Sequence, residues 1–126
     1  MMSIGAQYKA TAENEPVLRA DMADFDVEVM AFRAMSEKFV DEMKAGKGHP
    51  AGANMMKYVG TELNKRRHEL IMSADGSDAL EWESGESRGG AKPRGWLRTK
   101  ANSIEGGTSE VMLGVVAKRI LDLPGA

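Results

Sequence analysis

The stretch from Lys100 to Ala126 reads KANSIEGGTSEVMLGVVAKRILDLPGA, and its order of breaks and apolar residues decides the fold. Gly106-Gly107 interrupts the chain, because glycine adopts backbone angles closed to other residues. Thr108 follows as a good N-cap, and Pro124 stands beyond the end, so a helix is predicted from Thr108 to near Asp122. Val111, Met112, Leu113, Val115, Val116, Ile120 and Leu121 cover most of its circumference. A helix apolar nearly all round is expected to be buried on most sides. Upstream, a short helix is expected over Trp96 to Ile104.

The same period runs through the first half of the chain. Leu18, Met22, Phe25, Val29, Phe32, Phe39 and Met43 recur in steps of four and three, broken only by Ser36. This predicts a helix from an Asn14 cap, with Pro16 in the first turn, to Gly46. Met56, Val59, Leu63 and Leu70 predict a second helix from Gly52 to Ser73. ADGSD then reads as a turn, ALEW as one short helical turn, and residues 83–94 as a polar, Gly-rich loop. No strand alternation and no internal repeat appears. The fold class is all-α, an antiparallel helical bundle lacking one helix of the usual four. Residues 1–13 read as an N-terminal arm, frayed or the tail of an earlier helix, and 14–126 as the bundle domain. An incomplete bundle leaves an apolar seam, which the arm or another chain covers; another chain is favoured, so self-association is expected.

Composition narrows the function classes. A chain of 126 residues with 42% hydrophobic residues fits one globular domain. Having no cysteine, it has no disulfide and no thiolate metal site. His49 and His68 lack ligand spacing, so no metal site is expected. A net charge of -2 gives no field to attract nucleic acid. No apolar run approaches a membrane span and no signal peptide is visible, so a cytoplasmic protein is expected. Lys65-Arg66-Arg67-His68 is basic, but four successive helical residues point in different directions. Asp21, Asp24, Asp26 and Glu28 read as the outer face of the first long helix. Ten methionines suit an adaptable core.

Candidate chemistry lies in Ile104 to Glu110. Two glycines before a helix start permit close approach by a ligand, and the free N–H groups there favour an anion. Glu105 is a candidate general base, a role that needs a raised pKa in an apolar site.

Residues 102–125, NSIEGGTSEVMLGVVAKRILDLPG, resemble the ending of acyl-CoA dehydrogenases. There, a stretch like I-Y-G-G-T-S/N-E-I precedes an apolar helix with A-K/E-R and L-G-L-P. VLRADMADFDVEVMAF and ANMMKYVGTELNKRRHEL resemble earlier helices of that family's C-terminal helical domain, so the likeness spans about residues 14–124. It implies an FAD enzyme that desaturates acyl-CoA between the α and β carbons. A glutamate removes the α-proton and the flavin takes the hydride. By that resemblance Gly106, Gly107, Thr108 and Glu110 are the cofactor-binding residues, Glu105 is the catalytic candidate, and acyl-CoA is the substrate of the complete enzyme. The partner is a second copy or another dehydrogenase chain. One departure stands out: many members carry their catalytic glutamate where this chain has Gly106. The chain is therefore expected to be inactive alone, as one domain of such an enzyme or as a non-catalytic helical interaction module.

Overall fold

The computed structural model describes residues 3–83 and 87–124. Helix accounts for 75% of them and none lies in a strand, so the all-α expectation holds. In order, α1 spans Ile4–Gln7, α2 Lys9–Ala12, α3 Pro16–Lys44 and α4 Gly52–Asp75. A 3-10 turn at Gly76–Leu80 leads to α5, Ala91–Lys100; a second at Ala101–Ser103 leads to α6, Ser109–Arg119.

α3 uses most of the predicted stripe, although Val29 and Met43 are exposed. Met22 and Phe25 are 1% and 3% exposed and anchor the core; burying each stabilises the fold by roughly 1.5–3 kcal/mol. Ser36 breaks the stripe harmlessly, because its hydroxyl donates to Phe32 O at 2.8 Å. Asn14 does not cap the helix as expected. Glu15 holds the cap position without a side-chain bond, and Pro16 starts the helix, where its missing N–H costs nothing.

α4 is the hub, packing against α3, α5, α6 and both 3-10 turns. Two glycines let phenylalanine rings of α3 approach it. A Cβ at Gly52 would lie 2.5 Å from Phe39 Cε2, and one at Gly60 would lie 3.2 Å from Phe32 Cζ. The core sits where the start of α3 meets the end of α4: Ile4, Met22, Phe25, Leu70 and Ala74, flanked by Tyr8 and Leu63.

The N-terminal segment therefore does more than trail. Ile4 is buried in the core. Asp26 of α3 accepts the Ile4 N–H at 3.0 Å and the Gly5 N–H at 3.2 Å, capping α1 from outside its own sequence. This also corrects the reading of the acidic stretch as one solvated face. Asp26 holds α1, and Glu28 accepts from Arg66 at 2.6 Å. At this end the arm covers the seam. Further along, Phe32, Met35, Val59 and Leu63 floor an open groove between α3 and α4.

Two other boundaries moved. α5 begins at Ala91, inside the segment expected to be loop, and residues 84–86 of that loop lie outside the described residues. α6 stops at Arg119, before Asp122. The expected burial of α6 is not met within the chain. Met112 is buried, and Val115 and Val116 are half-buried, but Val111 and Leu121 are 54% and 59% exposed. The reason is geometric: α6 packs on α4, which covers one of its faces.

Candidate functional site

The segment between α5 and α6 is built as a tethered turn. Ile104 N–H and Glu105 N–H both donate to Ala101 O at 2.9 Å, closing the turn after α5. Gly106 and Gly107 follow with φ of 68° and 105°, angles that side chains disfavour. Their surroundings differ. A Cβ at Gly106 would meet nothing within 4 Å, whereas one at Gly107 would lie 2.3 Å from Met112 Cε. One side of the turn is open and the other is packed on the core.

Thr108 caps α6 as its sequence position predicts, accepting the Val111 N–H at 3.3 Å. Glu110 lies in the first turn. Its own backbone N–H and the Thr108 hydroxyl hold its carboxyl below the usual carboxylate range. The anion-friendly helix start therefore already carries a carboxylate of the chain, which complements the helix dipole there.

One face of α4 holds the turn from below. Lys57 Nζ donates to Gly107 O at 2.6 Å and to Asn102 O at 3.0 Å. One turn further along, Thr61 Oγ1 lies 3.5 Å from Asn102 O, and Asn64 Nδ2 donates to Asn102 Oδ1 at 2.8 Å. Lys65 reaches Ser103 Oγ at 2.7 Å. Residues 57, 61, 64 and 65 share a face because they are spaced by three and four. Nothing in the pattern of the last 27 residues pointed to these α4 side chains; the one available signal was that spacing of polar residues opposite the apolar stripe.

Glu105 does not have the setting of a general base. Arg98 clamps it with two bonds, Nη2 to Oε2 at 2.9 Å and Nη1 to Oε1 at 3.2 Å. The guanidinium first, and then the Asn102 amide, hold its carboxyl below the usual range. A carboxylate so stabilised is a poorer proton acceptor than a free one. Arg98 and Glu105 are 63% and 48% exposed, so solvent screens the pair, which orients the turn more than it stabilises the fold.

The other candidates disperse. Arg66 turns to Glu28, Lys65 to Ser103, and His68 Nδ1 to Asn64 O at 3.0 Å, so the basic run forms no patch. His49 Nδ1 accepts the Ala51 N–H at 3.1 Å in the α3–α4 connection.

The model of the acyl-CoA dehydrogenase C-terminal domain family matches residues 6–121. The chain belongs to this family. No curated protein and no solved structure matches it. The match takes in every helix from α3 to α6, and so the whole of the tethered turn. For an acyl-CoA dehydrogenase domain the relevant question is whether this turn suits a flavin. Gly106 is exposed and a Cβ there would meet nothing within 4 Å, so the turn leaves room beside it, whereas Gly107 is packed against Met112. Glu110 already occupies the anion position at the helix start.

Proposed function

We propose that the chain serves as the C-terminal domain of a flavin-dependent acyl-CoA dehydrogenase, contributing to FAD binding and to oligomerisation. Gly106, Gly107, Thr108 and Glu110 are the residues that would meet FAD. When bound, FAD supplies the acceptor for the hydride leaving the β carbon of an acyl-CoA thioester. The role of this chain is to present a fixed backbone edge: the glycines admit the ligand, Thr108 fixes the helix start, and Glu110 keeps a negative charge there. Glu105 acts by holding Arg98 and Asn102 in register, and its lowered pKa argues against its removing the α-proton.

The single observation that carries this reading is the Gly106–Thr108 turn, open on one side and tied to α4 on the other. Partnering is supported by the exposed apolar residues Val111 and Leu113 of α6 and Leu121 just beyond it. Apolar surface of this kind on a bundle helix is stabilised by burial against another chain. Purified protein tests both parts. Sedimentation is expected to show an assembly larger than a monomer, and added FAD is expected to stay with it through gel filtration, giving flavin absorbance. Protein that associates but releases all FAD would favour a second reading, a non-catalytic helical module that pairs with itself or with a full-length relative. The Arg98 clamp on the Glu105 carboxylate is the observation on that side.

A further inference from the structure

The turn has two anchors of different kinds. On the Asn102 side the bonds are redundant: Thr61, Asn64 and Lys57 all reach Asn102 from α4. On the far side of the two glycines, Lys57 reaches Gly107 O, at 2.6 Å. Between these points the chain passes through Gly106 and Gly107, both at positive φ. A pair of glycines is the most permissive hinge a backbone can contain. The bonds made by the Ile104 and Glu105 N–H groups end on Ala101 O, before the hinge, and do not restrain it.

We propose that Lys57 is the positioning residue of this turn; the part that concerns flavin rests on the function proposed above. Its ammonium carries three donors and binds carbonyls on both sides of the glycine hinge at once. This fixes the distance from the end of the 3-10 turn to the start of α6. Lys57 stands on α4, which packs against α3, α5 and α6, so the anchor itself is held in place. Gly107 and Thr108 are thereby presented in one conformation, whether or not a ligand is there. Charge-assisted bonds to carbonyls are among the stronger ones available to a half-buried side chain.

Amide hydrogen exchange on the full chain without flavin tests the clamp. In Lys57→Met, exchange at residues 107–112 is expected to accelerate on the order of tenfold or more. Ile104 and Glu105 should change by much less, because Asn64 and Thr61 still hold Asn102. A merely structural lysine would loosen α3, α4 and α6 together, and that uniform pattern would overturn the proposal, as would unchanged exchange at 107–112. Asn64→Ala gives a second reading should the methionine variant fail to fold. It removes one of three bonds to Asn102 and leaves Lys57 on both carbonyls, so exchange at 107–112 is expected to stay protected, and acceleration there would overturn the clamp. A separate FAD titration addresses the cofactor. Lys57→Met is expected to weaken FAD binding on the order of tenfold relative to Asn64→Ala, and equal affinities would refute the link to flavin. Absence of FAD binding in the parent chain, with the exchange pattern intact, would defeat the proposed function while leaving the clamp standing.

Discussion

Gly107→Ala is the most informative single change to the turn, because two independent costs can be worked from the structure. At φ 105° an alanine is strained, and backbone strain of this kind costs about 1–3 kcal/mol. The new methyl would also lie 2.3 Å from Met112 Cε. Met112 is buried, so its terminal methyl must move into packed surroundings, at about 1–3 kcal/mol. Together these give roughly 2–6 kcal/mol. Gly106→Ala is the internal control. It has positive φ as well, but nothing lies within 4 Å of the new methyl, so it bears the strain alone, about 1–2 kcal/mol. With about 2.1 cal/mol/K of unfolding entropy per residue, a chain of 126 residues loses about 4 °C of Tm per kcal/mol. Gly107→Ala is thus expected to melt roughly 4–16 °C below Gly106→Ala. Thermal unfolding followed by circular dichroism reads this. Truncating Met112 to alanine as well should relieve the contact and give a coupling of about 1 kcal/mol or more. Equal Tm values for the two glycine variants, or strictly additive effects of Gly107→Ala and Met112→Ala, would refute the packed-side, open-side description of the turn.

Thr108→Ala removes the side-chain cap of α6 and is expected to cost about 1 kcal/mol in denaturant unfolding; an unchanged midpoint would contradict the cap. Ile4→Ala should cost roughly 2–4 kcal/mol, as a large core residue cut to a methyl does, because Ile4 is 3% exposed; a change under about 0.5 kcal/mol, the level of an ordinary surface substitution, would mean that α1 is not docked. The Glu105 carboxyl lies below its ordinary value in the folded chain, chiefly through Arg98. Its pairing therefore contributes fully above the ordinary carboxylate pKa and is lost as pH falls through the lowered one. In Arg98→Gln, an NMR titration should find the Glu105 pKa moved upward; an unmoved value would assign the depression to another cause.

The long helices were legible because most of their periodic residues face a neighbouring helix, Val29 and Met43 being exceptions. The stripe from Leu18 to Met43 marks α3, and Thr108 before the Val111–Val116 run marks α6. Residues that act at a distance were not legible in this way. Asp26 caps a helix 22 positions earlier, and Lys57 ties down a carbonyl 50 positions later. Local patterns cannot show such pairings, because they depend on how α1 and the turn dock on the hairpin. Ile4 and Tyr8 did carry the spacing of a helical face, but a segment of two short turns is too brief for periodicity to stand out. Glu105 misled for a related reason. Its position beside two glycines suggested a base, whereas the decisive partner is Arg98, on the helix before the turn, whose approach depends on how the 3-10 turn reverses the chain. The circumference of α6 showed that it needs covering without showing by what; α4 supplies one face.

In the proposed function, the Gly106–Glu110 turn of this domain would face FAD. Backbone amide shifts recorded while FAD is titrated into the chain test this. The account predicts saturable shifts concentrated at Gly106, Gly107, Thr108 and Glu110, with the helix faces of α3 little affected. Shifts concentrated elsewhere, or none at FAD concentrations well above those of the protein, would contradict it.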